Sequence, residues 1–134
     1  MSLLSGACSL LIRGEGLDKE SIDNNLKITH TGYIIKGQSI KHSKITAPKD
    51  VWTYEMKFQQ DEKPSTVLRN LIMKLIPVKN YLYDDKFEDI CIRMYLQSEW
   101  AQMYFDLSAA IIKVLAELNI RFEVSILSWG GVQE

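Results

Sequence analysis

Val51-Trp52-Thr53-Tyr54-Glu55-Met56-Lys57-Phe58 alternates without interruption, with Trp52, Tyr54, Met56 and Phe58 on one side and Val51, Thr53, Glu55 and Lys57 on the other. A period of two with one apolar and one largely polar face predicts a half-buried strand of an antiparallel sheet. The pattern recurs toward the C-terminus. Over 90–97, Ile90, Ile92, Met94 and Leu96 oppose Cys91, Arg93, Tyr95 and Gln97; over 120–129, Ile120, Phe122, Val124 and Ile126 oppose Arg121, Glu123 and Ser125. Toward the N-terminus, 7–12 reads as a first strand and 33–36 as a brief one.

Between the strands the period lengthens to that of a helix. Leu68, Leu71, Ile72, Leu75 and Ile76 form one apolar stripe, and Leu107, Ile111, Val114, Leu115 and Leu118 form another. Ser65 is the expected cap of the first, which stops before Pro77. Asp106 or Ser108 caps the second, and Asn119 takes the left-handed position that ends it. A shorter helix starts at Asp18, with Ile22 and Leu26 inward and Leu17 stapled across its first turn. A further short strand is expected at 103–105, returning from a turn at Ser98-Glu99. The order is then β-α-β followed by β-α-β-β-α-β, the second half being the string of a ferredoxin-like, split βαβ unit. The expected fold class is α+β: an antiparallel sheet with helices packed mainly on one face and the other face open.

Length and charge narrow the function. At 134 residues the chain fits one α+β domain, 1–134. With 46% hydrophobic and 25% charged residues it matches globular usage, so disorder and coiled coil are disfavoured. Sixteen Lys and Arg against seventeen Asp and Glu leave a net charge of −1. That lacks the positive excess of a nucleic-acid or anionic-membrane binder. No apolar run approaches the ~18 residues of a membrane helix. Ser5-Gly6-Ala7-Cys8 faintly resembles a lipoprotein cleavage site, but no basic residue precedes it, and a strand is the better reading. Cys8 and Cys91 fall where strands place small buried residues. Reduced core thiols of this kind suit a reducing cytoplasm.

No motif nominates catalysis. His30 and His42 are twelve residues apart with neither cysteine nor carboxylate between them, so no metal site and no cofactor is expected. No serine sits in a G-x-S-x-G elbow. Gly14-Glu15-Gly16 lacks the third glycine of a dinucleotide fingerprint, and Glu15 puts negative charge where a phosphate would lie, so the segment reads as a turn. The stretch 24–49 holds five lysines and no acidic residue, which reads as a solvated basic face. The opposite sign appears in the loop 81–89. There Tyr81, Tyr83, Asp84 and Asp85 combine aromatic anchors with carboxylates, the composition of a protein-contact patch. An alternative is a small-ligand pocket between sheet and helices near Arg13, Trp52 and Tyr54.

With these elements placed, a family resemblance follows. Cys8-Ser9-Leu10-Leu11-Ile12-Arg13-Gly14-Glu15-Gly16-Leu17-Asp18, followed by Ile22 and Leu26, resembles the N-terminal signature of a bacterial domain-of-unknown-function family, number 4279. The tryptophan-led Val51-Trp52-Thr53-Tyr54 and the closing helix, turn and strand over 107–126 resemble the same family. Asn119 stands where that family usually has glycine, and Arg121-Phe122-Glu123-Val124-Ser125 lacks its alternating aspartates. The resemblance implies a small bacterial α+β domain with no established activity, and supplies no catalytic residue. The expected function is a non-enzymatic, cytoplasmic protein-binding module, immunity-type or regulatory, which acts on a protein partner, with a homodimer through its sheet edges as a candidate assembly.

Overall fold

The longest strand is also the central one. In the computed structural model, which describes residues 4–40, 44–59, 61–98 and 104–128, β1 (Leu4–Gly14) pairs antiparallel with β3 (Asp50–Lys57) on one side and β4 (Asp89–Ser98) on the other. Leu10 stands opposite both Tyr54 and Ile92, and Cys8 opposite both Met56 and Met94. Because side chains alternate along a strand, this register gathers the apolar sets of all three strands on one face. β2 (Gly32–Ile34) adds antiparallel outside β3, and β5 (Arg121–Ser128) adds parallel outside β4. The order is β2-β3-β1-β4-β5.

Three helices cover the apolar face: α1 (Lys19–Leu26), α2 (Pro64–Leu75) and α3 (Ala109–Leu118). Leu10, Ile12, Trp52, Ile92 and Met94 are sealed beneath Ile22 and Leu26 of α1 and Leu68, Leu71, Ile72 and Leu75 of α2. Burying each such side chain is worth about 1.5–3 kcal/mol, so this layer supplies most of the driving force. α3 is shallower. Only Leu118 is fully buried; Ile111, Val114 and Leu115 are half-covered, and Ile112 faces outward. Among the described residues no helix is long and apolar enough to cross a membrane.

The α+β class holds, with helices on one face of the sheet, but the ferredoxin-like unit sits earlier in the chain than the sequence pattern suggests. β1-α1-β2-β3-α2-β4, in the order β2-β3-β1-β4, is the split βαβ arrangement. α3 and β5 are an appended crossover whose strand runs parallel to β4, which makes the sheet mixed. The strand expected at 103–105 does not intervene: Tyr104 and Phe105 are irregular, and Met103 lies outside the described residues. Three alternating residues are too few to separate a strand from an approach to a helix.

Most helix ends follow the sequence. Asp18 accepts the Ser21 N–H, the Ser108 hydroxyl accepts the Ile111 N–H, and Asn119 is left-handed at φ 54°. α2 is the exception: Lys63 occupies the cap position with Pro64 at the first turn, so Ser65 lies inside the helix. Gly6 in β1 has φ 152°, and a Cβ there would stand 1.9 Å from the Tyr95 carbonyl oxygen. Gly6→Ala should therefore lower the unfolding free energy by more than ~1 kcal/mol. Denaturant titration checks this, and an unchanged midpoint would contradict the close approach of β1 to β4.

Candidate functional site

The face turned away from the helices holds the odd-numbered residues of the central strands. Arg13 on β1 lies in register with Val51 and Asp89; Leu11 with Thr53 and Cys91; Ser9 with Glu55 and Arg93. Arg121 and Glu123 on β5 extend these rows. The charges form a chain of ion pairs. Arg13 meets Asp89 at 2.9 Å, Asp89 meets Arg121 at 2.7 Å, Arg121 meets Glu123 at 2.7 Å, and Glu123 also accepts from Arg93. Desolvation pushes the Asp89 carboxyl up, but the two guanidinium groups together hold it below the ordinary range. The Arg93 hydrogen bond, aided by Arg121, lowers Glu123. Partly exposed pairs each contribute only ~0–1 kcal/mol, so the main effect is to fix and neutralise side chains across three strands.

Beside this network a recess of about 650 Å³ opens over β1 and β3. Leu11, Val51 and Thr53 floor it, and Ile34, Ile40, Ala47 and Pro48 wall it. The wall comes from 35–40 and 44–49, held together by bonds from Gly37 N to Ala47 O and from Ala47 N to Gln38 O. Each cation of the lining already has a carboxylate: Arg13 has Asp89, Lys49 has Glu88 and Arg93 has Glu123. Among the described residues, Glu55 is the one charged group of the lining without an ion-pair partner.

Two carboxylates anchor this region, and both bracket the acid-free stretch 24–49. Asp50, only 7% exposed, accepts from Lys36 N at 2.7 Å, Leu17 N at 3.0 Å and the Tyr33 hydroxyl at 3.3 Å. The Lys36 N–H contributes most to keeping it ionised, well below the usual carboxyl range, against the cost of burial. Burial and the facing Asp50 in turn push the Tyr33 phenol up to about 12. Asp23 on α1 accepts from the Trp52 indole at 2.8 Å, from His30 N at 3.1 Å and from His30 Nδ1 at 2.8 Å. Its partial burial works against ionisation, but the bonds from Trp52 and His30 outweigh that and hold it low. His30 does not line the recess. His42 lies outside the described residues.

The other sequence-selected residues are placed as follows. Arg13 lines the recess, whereas Trp52 and Tyr54 belong to the buried helix side of β3, so the three do not share a pocket. In the loop 81–89, Tyr81 stacks edge-on against Phe87 with centroids 5.4 Å apart. The Tyr83 hydroxyl donates to the Leu118 carbonyl at 2.7 Å, satisfying the end of α3. Asp84 accepts the Lys86 N–H and shapes the turn, and Asp85 is exposed. Tyr81 and Tyr83 thus brace the fold, both from a 3₁₀ stretch over Ile76–Tyr83, while Tyr83 stays 46% exposed. Both cysteines are free; burial pushes the Cys8 thiol up to about 12 and raises Cys91 as well. Among the described residues no group of three His, Cys, Asp or Glu is placed to hold a metal ion.

The signature segments have these places: 8–18 is the end of the central strand and its turn, 51–54 is the part of β3 that puts Val51 and Thr53 in the recess floor and Trp52 and Tyr54 in the helix-side core, and 107–126 spans the appended crossover. The model of the family described as "Domain of unknown function (DUF4279)" matches residues 4–129. This chain belongs to DUF4279. No curated protein and no solved structure matches it. In this DUF4279 chain Asn119 makes the left-handed turn without glycine, and Glu123, in the strand without alternating aspartates, joins the ion network.

Asp50→Ala would strip the acceptor from three donors and should destabilise the domain by about 3 kcal/mol near neutral pH. The sign of the pH dependence follows from the depressed carboxyl. The stabilisation is complete above the unfolded value of ~3.9 and disappears as pH falls through the lower folded value. Denaturation of both proteins from pH 7 to 2 should show the difference closing only on the acid side; a constant gap would refute Asp50 as an ionised anchor.

Proposed function

We propose that this chain is a non-enzymatic protein-binding module whose contact surface is the open sheet face. The carrying observation is the recess itself: an apolar concavity whose three cations are already paired and whose one charge without an ion-pair partner among the described residues is Glu55. Interfaces concentrate their binding energy in such desolvated pockets, while a polar rim excludes water and fixes register. A small-ligand site of similar volume needs several converging uncommitted polar groups to orient its guest, whereas here the cations are engaged and Glu55 alone of the charged lining is left without an ion-pair partner among the described residues. The high thiol pKa values weigh against cysteine nucleophiles, because the thiolate is the reactive form.

The complementary partner segment carries an apolar anchor for the recess and a cationic group for Glu55. A role in neutralising or regulating that partner requires no chemistry from the domain. Work in a reducing bacterial cytoplasm belongs to the same proposal, supported by the two free thiols.

Selection of a random peptide library on the wild-type chain should enrich apolar residues accompanied by Lys or Arg. Thr53→Trp, which fills the recess floor, should abolish binding of the selected peptides, and Glu55→Lys should remove the basic preference. Peptides that bind Thr53→Trp as well as wild type would refute the reading. A metabolite that raises the melting temperature of wild type but not of Thr53→Trp would favour the small-ligand alternative instead.

A further inference from the structure

The two edges of the sheet are built differently. β2 has three residues and leads into the 35–49 segment. β5 has eight, and among the described residues it is paired with β4 alone. A long free edge is a template for another strand, and monomeric proteins guard it with lysine, proline, a bulge or a covering element. β5 contains neither lysine nor proline, and its register with β4 runs unbroken from Cys91↔Arg121 to Ser98↔Ser128. It exposes Val124 (39%), Ile126 (56%) and Leu127 (47%). Its charges do not protect it, since Arg121 and Glu123 are committed to the ion network within the chain.

The geometry points to a second copy of this chain as the occupant, paired β5 to β5 in antiparallel fashion about a two-fold axis through Val124. The occupant follows from there being one long edge among the described residues: a head-to-tail array would need a second, matching edge, whereas a self-complementary one closes as a dimer. The register follows from the faces. A two-fold axis normal to the sheet keeps like faces together, so opposed residues both lie on the helix side or both on the open side. With Val124 on the axis, Phe122 of each copy stands opposite Ile126 of the other, giving an unbroken apolar row on the helix side. On the open side Glu123 faces Ser125 and Arg121 faces Leu127, so no like charges oppose. The two five-stranded sheets become one, with both recesses on the same face.

Sedimentation velocity on the full chain should give a dimer. Val124→Lys sets two ammonium groups against each other on the axis, and should give a monomer with an unchanged far-UV spectrum. If Val124→Lys does not fold, cysteine substitution decides. Mild oxidation should cross-link Val124→Cys between copies, because directly opposed residues come within disulfide reach, and should leave Ser125→Cys uncross-linked. Native Cys8 and Cys91 are buried and do not contribute. A monomeric wild type, a dimer that persists in folded Val124→Lys, or cross-linking at Ser125→Cys in place of Val124→Cys would overturn the assignment.

Discussion

Asp50 at the start of β3 gathers N–H groups from the turn after β1 and from the chain beyond β2, together with the Tyr33 hydroxyl. A carboxylate this enclosed is tolerable only because those donors replace its water. The consequence reaches past local stability. Leu17 in the 14–18 turn and Lys36 beyond β2 meet at this one acceptor, and Lys36 begins the chain that walls the recess. Asp23 plays the matching part on the helix side, tying α1 to β3 through the Trp52 indole and fixing the approach to β2 through His30. Hydrophobic burial makes the sheet and its helix layer. The two carboxylates decide how α1, the approach to β2 and the chain just beyond β2 lie against them.

The fold was legible where its periodicity was long. Eight alternating residues at 51–58 leave no doubt about which side of β3 is buried, and a one-residue slip would expose Trp52. Asn119 was readable because so few residues adopt left-handed backbone. The position of the split βαβ unit was less legible, because the later string rests on a three-residue strand at 103–105 that Tyr104 and Phe105 do not form, and the earlier one is chosen by long-range pairing. β1 takes β3 and β4 as neighbours, and nothing local in 4–14 says so. The cap of α2 went to Lys63 because Pro64 next to it already suits the first turn.

The site was less legible than the fold. Ile40, Ala47 and Pro48 line the recess from a segment with no period, where hydrophobic patterning gives no guidance. Arg13 stood out in the sequence, yet beside Trp52 and Tyr54, which alternation itself assigns to the other face of β3. In the loop 81–89, which reads as a contact surface by composition, long-range packing adds what composition does not show: Tyr83 caps a helix while staying exposed, and Tyr81 packs on Phe87. One sequence signal did point to the anchors: a run without acidic residues, closed at each end by an aspartate. Its basic character drew notice, whereas its boundaries carried the information.

The central position of β1 also orders events in time. Its two neighbours are built from residues 50–57 and 89–98, far along the chain. During synthesis β1 can join β3 once that strand has left the ribosome, but its other edge stays open until β4 emerges. Contacts this distant in sequence are slow to form, and an unpaired edge is prone to wrong partners meanwhile. Nascent chains stalled between β3 and β4 would therefore be natural clients for a chaperone.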